Sequence, residues 1–473
     1  MAQNGAAEIE NCQVLVIGGG PAGSTVATLL SRRGIRVTLL EREHFPRYHI
    51  GESLSISCFR AMEVLGLRDK VESHGFTRKE GSYYAWGDEE WDLPFSHLPG
   101  EDNHSWQVIR SEFDQILLDH ARSEGVRVHE GVNVSQVHFE NGRAVAASWT
   151  RRGEENASGR VHFDVVVDAS GRNGVLASRQ LSSRKFHDVF RNLAVWGYWE
   201  GTPELNLGPT GAIAVFSREN GWLWAIPLHD GTLSIGLVTG KDEYKADYDR
   251  LGGRQAVYLD AIASCSQLAD LTKPGKLVSE VKSETDYSYV ADEFSGPGYF
   301  LIGDAACFLD PLLSTGVHLA TFSGMLAAAT ISSMLSGEIP EQECRDFFQT
   351  AYRQAYERLL LLVSVFYESY RGSESHFYQA QALTREDRKG LRLHDAFLNI
   401  VAGTEDLVDV TTEGAYQALA AKLRGEDGGS PAPIANHNTF KEKLPESPDL
   451  ALAGIYLTLQ PELGLRRVER ARD

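Results

Sequence analysis

Lys79 is the residue of this sequence whose surroundings most favour unusual chemistry. It lies in GFTRKEGSYYAWG, residues 75–87, between Phe76 and an aromatic run that ends at Trp86. An isolated lysine is normally a solvated surface residue, but this aromatic setting favours burial. A buried lysine has a lowered pKa and can act as a nucleophile or a proton donor. We therefore take Lys79 as the candidate catalytic residue.

The octapeptide GWLWAIPL, residues 221–228, contains two of the eight tryptophans in the chain. Its alternation predicts a strand with Trp222, Trp224 and Ile226 on one face, and with Pro227 ending the hydrogen-bond ladder. Core packing alone explains such a face. The same face can also form the wall of a reaction chamber, and the two interpretations are compatible.

A glycine motif near the N-terminus predicts a dinucleotide site. Gly18, Gly20 and Gly23 have the spacing GxGxxG between a strand that ends at Ile17 and an amphipathic helix. The first glycine allows a tight turn, the second allows close approach of a pyrophosphate, and the third allows the helix to pack on the strand. Glu41 ends the next strand, where a carboxylate can accept hydrogen bonds from ribose hydroxyls.

The composition excludes several classes of protein. The chain has 46 basic and 65 acidic residues and a net charge of −19, which argues against nonspecific binding to nucleic acid or anionic membranes. The five cysteines lack the spacing of a metal site, so we expect no metal and predict reduced thiols in a cytoplasmic protein. The N-terminus lacks the features of a signal peptide. The apolar stretch 318–337 is rich in small and hydroxyl residues, which favours a buried helix over a membrane span.

Three further segments favour FAD over NAD. Arg110 opens a predicted helix, residues 163–174 form a strand that ends in Asp-Ala-Ser-Gly, and residues 296–320 contain a strand that ends at Asp304 before a helix. Read alone, Asp304 is a helix-capping residue. Together the segments resemble the FAD-contacting elements of the glutathione-reductase-type flavoproteins, particularly the p-hydroxybenzoate-hydroxylase-like branch. No second glycine motif with a matching acid follows, so we expect no separate NAD(P)H domain.

This resemblance implies an α/β (α+β) fold with a Rossmann-like FAD-binding domain, an antiparallel β-sheet substrate domain and a helical C-terminal region. The predicted FAD-binding domain is discontinuous and comprises residues 1–75, 106–180 and 281–340. The substrate domain comprises residues 76–105 and 181–280, where the sequence alternates as antiparallel strands do. Residues 341–473 form the mostly helical C-terminal region.

Four motifs make the resemblance more specific. The glycine motif, FPRYHIGESL at residues 45–54, the Lys79 segment and WxWxIP in the octapeptide together resemble the flavin-dependent halogenases, over roughly residues 10–370. The resemblance implies that a separate flavin reductase supplies FADH2, which with O2 oxidises chloride or bromide to hypohalous acid. It implies these cofactor contacts: Gly18, Gly20, Gly23, Glu41, Arg47, Glu52, Ser53, Arg110, Asp304 and Gly316.

The resemblance also implies roles around the halide. Hypohalous acid reaches Lys79, which either forms a chloramine or hydrogen-bonds the acid, and the sequence does not choose between these. Trp222, Trp224, Ile226 and Pro227 are expected to wall the tunnel and to keep the substrate from the flavin. Backbone N–H groups of Thr315 and Gly316 are expected to bind the halide. Some relatives carry FAD covalently, and Asp286 is the candidate attachment residue; its alternative role is a polar residue at a strand start.

Leu313 is the main departure from the tryptophan halogenases, which have a glutamate directly before their Ser-Thr-Gly. A phenol or pyrrole is already electron-rich and needs less help from a carboxylate, so the resemblance favours the branch that acts on phenolic or pyrrolic rings in natural-product (antibiotic) biosynthesis. Those rings are often tethered to an acyl or peptidyl carrier protein, for which the basic segment 179–191 is a weak docking candidate.

Three rival functions share part of this evidence. A single-component FAD-dependent aromatic hydroxylase has the same fold but needs no lysine relay, so Lys79 and the paired tryptophans speak against it. A flavin-linked reductase of isoprenoid double bonds also has this fold. A flavin-binding scaffold without activity would have no need to keep GESL, Lys79 and WxWxIP together.

Overall fold

The computed structural model describes residues 9–87, 89–97, 103–153, 157–219, 221–368, 447–459 and 462–468. Six strands form the first sheet: β1 Val14–Ile17, β2 Val37–Leu40, β7 Arg127–His129, β11 Val165–Asp168, β18 Ser295–Gly296 and β19 Tyr299–Leu301. Their order is β18-β19-β11-β1-β2-β7, and every pairing is parallel except that of β18 with β19. All four residues of β1 and of β2 are buried, because helices or loops cover both faces of a parallel sheet.

The second sheet has nine strands: β4 Gly81–Trp86, β5 Glu89–Pro94, β12 Arg184–Glu200, β13 Ile213–Arg218, β14 Gly221–Pro227, β15 Leu233–Gly240, β16 Lys276–Leu277, β17 Lys282–Ala291 and β20 Cys307–Phe308. The order is β20-β17-β12-β15-β14-β13-β4-β5, with β16 beside β12. Neighbouring strands are antiparallel except β13 and β4. The strand β14 lies inside this sheet, so its two faces contact different layers.

Three smaller sheets are also present in the described part of the chain. One contains β8 Val132–Glu140, β9 Arg143–Arg151 and β10 Ser158–His162, another pairs β3 Thr77–Lys79 with β6 Ser105–Gln107, and the last pairs β21 Ile455–Thr458 with β22 Gly464–Arg467. The pairing of β3 with β6 places Lys79 opposite Ser105.

Nine helices are assigned in the described part of the chain: α1 Pro21–Arg32, α2 Ser57–Leu65, α3 Arg68–His74, α4 Arg110–Ser123, α5 Lys241–Leu251, α6 Arg254–Ala263, α7 Ser266–Thr272, α8 Gly316–Ser336 and α9 Glu341–Glu368. By length and composition α8 would suffice to cross a membrane, yet most of it is buried and it packs on α1 and α9. It is thus the buried helix that the sequence predicted.

The structure refines the predicted layout in three places. Residues 181–280, predicted as sheet, also contain α5, α6 and α7, whose sequences lack strand alternation. The strand β17 continues the nine-stranded sheet into the segment 281–340 that was assigned to the FAD-binding part. In the C-terminal region α9 is helical, residues 369–446 lie outside the described residues, and β21 with β22 forms a hairpin.

Candidate active site

One cavity of about 630 Å³ extends from the glycine turn to β14 and brings most of the predicted site residues together. The predicted residues that line it are Gly18, Gly20, Glu41, Arg47, Glu52, Ser53, Arg110, Trp222, Trp224, Ile226, Asp304 and Gly316. Gly23, Lys79, Pro227 and Thr315 do not line it. The first sheet and the second sheet therefore both contribute to one chamber.

The glycine turn has the shape that a dinucleotide needs. A Cβ on Gly23 would lie 1.9 Å from the carbonyl oxygen of Gly18, so Gly23 allows helix α1 to approach the strand. Gly18 has φ +104° and a Cβ there would lie 2.4 Å from the Ala169 oxygen. The N-cap of α1, Gly20, has no side-chain cap, which leaves the helix N-terminus available to phosphate. These features fit FAD, which when bound and reduced supplies the electrons for activating O2.

Glu41 is held by the backbone. Its Oε2 accepts a hydrogen bond from the Gly19 N–H at 2.6 Å, and its Oε1 accepts one from the Glu43 N–H at 2.8 Å. The carboxylate is nearly buried and lines the cavity. It is therefore fixed beside the glycine turn, where the sequence expected a ribose contact.

Arg110 and Arg47 share one carboxylate that the sequence analysis missed. Arg110 is the first residue of α4, and its Nε and Nη2 donate to the two oxygens of Asp114 at 2.9 and 3.0 Å. Arg47 Nη1 lies 2.9 Å from Asp114 Oδ2. Burial alone would raise the pKa of Asp114, but the two guanidinium groups hold it below its usual value. Asp114 thus positions two cations that line the cavity.

Glu52 ends a chain of hydrogen bonds from the protein surface. Trp196 Nε1 donates to the hydroxyl of the half-exposed Tyr48 at 2.6 Å, and that hydroxyl lies 2.8 Å from the Tyr198 hydroxyl. Tyr198 donates to Glu52 Oε1 at 2.6 Å, while the buried Glu52 Oε2 has no partner among the described residues. Burial raises the pKa of Glu52 to about 7. The open oxygen suits a polar group of a bound ligand.

Lys79 is buried, as its aromatic neighbours predicted, with 2% of its surface exposed. Its Nζ donates to Ser53 Oγ at 2.8 Å and to the Leu54 carbonyl oxygen at 3.0 Å, and lies 5.6 Å from the centre of the Phe95 ring. Burial lowers the pKa of Lys79 to about 7, since no carboxylate pairs with it among the described residues. An amine of this kind is nucleophilic near neutral pH.

The strand β14 is two-faced, as its alternation predicted. Trp222, Trp224 and Ile226 line the cavity, whereas Leu223 and Ala225 belong to the core cluster that includes α6. The two indole centres lie 5.9 Å apart. Pro227 is the last residue of the strand, as expected, and does not line the cavity.

Gly236 on β15 makes room for one of these indoles. It pairs with Trp224 across the two strands, and a Cβ on Gly236 would lie 2.1 Å from the Trp224 ring. The indole Nε1 donates to Ser234 Oγ at 3.2 Å, which fixes its orientation further. No local sequence pattern indicates Gly236, because its importance depends on the register of β15.

Asp304 lies in a helical turn, Gly303–Ala305, and lines the cavity near Arg172. Burial raises its pKa, and Arg172 and Arg110 offset part of that effect. Asp286 lies on β17 opposite Asn192, inside the strand rather than at its start, and its side chain is outside the described part of the chain.

The predicted halide residues lie at the N-terminus of α8. Thr315 is the N-cap and makes no side-chain cap hydrogen bond, and Gly316 is the first helical residue. Ser314, just before them, has φ +57°, an uncommon conformation for a residue with a side chain. Gly316 and Ser314 line the cavity, whereas Thr315 is buried beside it.

Two residues of the site that were not predicted, Asp114 and Tyr48, do have a local signal in the sequence. Arg110 and Asp114 have the i, i+4 spacing that joins side chains on one helix face. Tyr48 lies inside FPRYHIGESL, next to residues already selected. Tyr198, on the long strand β12, had no local signal, because its contact with Glu52 joins residues 146 positions apart.

Comparison with known proteins identifies the family. A family model described as tryptophan halogenase matches residues 13–103 and 99–408. The tryptophan 2-halogenase of Chondromyces crocatus is 38% identical and covers 96% of this chain and 94% of its own length. The flavin-dependent halogenase armH2 of Armillaria mellea is 34% identical, covering 90% and 84%.

Solved structures agree with this assignment. The myxobacterial chondrochloren halogenase CndH, described as a variant of FAD-dependent halogenases, has a TM-score of 0.75 and 33% identity, covering 90% of this chain and 99% of its own. The flavin-dependent halogenase CmlS has a TM-score of 0.74 and 32% identity, covering 91% and 77%. Together with the cavity, the glycine turn and the buried lysine, these matches show that the chain belongs to the flavin-dependent halogenases.

Proposed function

We propose that this protein chlorinates an electron-rich aromatic ring, phenolic or pyrrolic, with Lys79 carrying the oxidised halogen to the substrate. As a flavin-dependent halogenase it uses FADH2, a halide and O2, and a separate reductase supplies the FADH2. The observation that carries the proposal is the buried Lys79 ammonium, bonded to Ser53 at the edge of the cavity.

Three groups of residues divide the work in this proposal. The backbone N–H groups of Thr315 and Gly316 bind the halide, supported by the uncapped N-terminus of α8. Trp222 and Trp224 exclude the aromatic substrate from the cavity, so that only small hypohalous acid passes. Lys79 receives the halogen, because a lysine whose pKa is near 7 is in part a neutral amine at physiological pH.

Leu313 supports a substrate that needs no carboxylate. It is 3% exposed and belongs to the same apolar cluster as Trp222, Trp224 and Phe95, the ring beside Lys79. A glutamate at this place would be buried among aromatic side chains at a high cost in free energy. Phenols and pyrroles react with electrophilic halogen without such help, and we infer that the substrate belongs to one of these classes.

A second candidate substrate is an indole. The observation that favours it is the 38% identity to the protein named tryptophan 2-halogenase, over nearly the whole chain. Carbon 2 of indole belongs to the five-membered, pyrrole-type ring, so the chemistry proposed for Lys79 also applies to it. The halogenase names of the relatives meanwhile favour halogenation over the aromatic hydroxylase alternative.

Several finer points are part of the proposal. Lys185 and Phe186, in the basic segment 179–191, expose their side chains, which supports docking of a carrier protein that holds a tethered ring.

Asp286 stays the candidate for covalent FAD attachment, to be tested by mass spectrometry of the denatured protein. The burial of α8 supports the proposal of a cytoplasmic enzyme.

The test is a reconstituted halogenation assay. Purified protein receives FAD, a flavin reductase, NADH, O2 and chloride or bromide. The substrates are a phenol, pyrrole-2-carboxylate and tryptophan, and the last two are also supplied as carrier-protein thioesters. Mass spectrometry is expected to show a halogenated phenol or pyrrole. Hydroxylated product without halogen would overturn the proposal, and halogenated tryptophan alone would establish the second candidate instead.

A further inference from the structure

We propose that this protein binds one divalent transition-metal cation, such as Zn²⁺, through His74, Glu112 and His229. His74 ends α3, Glu112 lies in the first turn of α4, and His229 follows β14. The His74 Nε2 lies 2.7 Å from Glu112 Oε2, and the His229 Nε2 lies 3.2 Å from the same oxygen. A ligand atom from each residue lies within 4.8 Å of the other two. We name these three residues the His-Glu-His cluster.

Two of the three separations in the His-Glu-His cluster are close to those of a tetrahedral zinc site, and the third, between the two imidazoles, is within 4.8 Å. Zinc–ligand bonds of about 2.0–2.1 Å place neighbouring ligand atoms about 3.3 Å apart. The pair of Glu112 and His229 already has this separation, and the pair of His74 and Glu112 needs to open by about 0.6 Å. Two imidazoles and one carboxylate are ligands that zinc accepts, and they leave a fourth position for water.

Packing fixes both imidazoles and leaves the cluster accessible. The Phe76 ring lies 4.3 Å from the His74 ring and 5.2 Å from the His229 ring, at 89° to the latter. His229 Nδ1 is buried with no hydrogen-bond partner among the described residues, so the polar contact of this ring is on its Nε2 side. The three side chains are 20–38% exposed, so a cation can reach them from solvent.

A cation bound here would join the segments that form the active site. Lys79 lies five residues after His74, Arg110 two residues before Glu112, and Trp224 five residues before His229. In the absence of a metal, the imidazole–carboxylate contacts and the ring contacts of Phe76 connect them. The cation would therefore stabilise the arrangement of α3, α4 and the end of β14 without taking part in halogen transfer.

The experiment measures metal binding directly. Protein without an affinity tag, treated with a chelator and dialysed, is titrated with Zn²⁺ in a calorimeter and with Co²⁺ in a visible spectrophotometer. We expect one equivalent to bind, with d–d absorption of the Co²⁺ form and a higher Tm in the presence of metal. In His229→Ala, His74→Ala and Glu112→Gln the affinity is expected to fall at least about tenfold.

The exposed His162 provides the matched control, because it lies on β10 and belongs to no such cluster. His162→Ala is expected to bind metal as the unmodified protein does. Unchanged Zn²⁺ affinity and unchanged metal-dependent Tm in the cluster variants would overturn the proposal, since binding would then be adventitious. If His229→Ala does not fold, His74→Ala and Glu112→Gln, on other segments, decide the question.

Discussion

Ser53 Oγ accepts a 2.8 Å hydrogen bond from Lys79 Nζ, and Ser53 also lines the cavity that Lys79 itself does not reach. One serine therefore contacts both the proposed flavin chamber and the proposed halogen carrier. The preceding residue, Glu52, is a buried carboxyl group on the cavity side. Two adjacent residues of the GESL segment, Glu52 and Ser53, thus connect the proposed flavin chamber to the lysine.

Replacing Lys79 with alanine is expected to abolish halogenated product, by at least about 100-fold, while FADH2 is still oxidised by O2. The reason is that Lys79 lies outside the cavity, so its loss leaves the flavin chamber intact. Stopped-flow absorbance and product mass spectrometry measure the two steps separately. Lys245→Ala, at an exposed position on α5, is the control, and retained halogenation in Lys79→Ala would remove Lys79 from the mechanism.

Lys79 also predicts a pH dependence of stability. Its pKa falls from the ordinary 10.5 to about 7 on folding, so between these values the unfolded chain binds more protons than the folded protein. The free energy of unfolding therefore gains a contribution that increases as the pH rises from about 7 to about 10. Lys79→Met lacks this titration, so we expect its free energy of unfolding to be higher than that of the original protein. The difference should be largest at pH 6.

Urea unfolding at pH 6, 7, 8 and 9 checks this prediction, with Lys185→Met as the control. The stability advantage of Lys79→Met is expected to shrink as the pH rises above 7. A difference between the two proteins that does not change with pH would show that burial does not lower the pKa of Lys79.

Asp114→Asn is expected to weaken FAD binding. The substitution removes the carboxylate that the buried Arg110 and the partly buried Arg47 share. Removing one partner of such an ion pair costs about 3 kcal/mol in free energy. Quenching of flavin fluorescence gives the Kd for FAD, which should rise at least about tenfold. Asp119→Asn, on the exposed side of the same helix, should leave the Kd unchanged, and equal effects of both substitutions would contradict a specific role for Asp114.

Gly236→Ala is expected to displace the Trp224 indole. The new methyl carbon would overlap the ring at 2.1 Å, and overpacking of this kind costs about 2 kcal/mol. Thermal unfolding should give a lower Tm, and tryptophan fluorescence should change. Gly252→Ala, at an open position after α5, tests backbone strain alone and should leave the fluorescence as it is. An unchanged Tm in Gly236→Ala would show that the indole can move aside.

Local patterns predicted the parts of the site that depend on one segment. The turn at Gly18 and the alternation of Trp222 and Trp224 follow from backbone sterics and side-chain periodicity, and the structure confirms both. The approach of Tyr198 to Glu52 depends instead on how the loop between β2 and α2 packs on the nine-stranded sheet. No pattern within a strand encodes that packing, so such contacts emerge only in three dimensions.

The two-faced strand β14 has a consequence for enzyme engineering. Leu223 and Ala225 are fully buried against the layer of α6, one residue away from the indoles on the same backbone. Substitutions at these hidden positions can shift Trp222 and Trp224 without replacing any cavity residue. A mutant library that is designed to change the range of substrates should therefore include Leu223 and Ala225. The variants should also be screened for thermostability, because both layers depend on this strand.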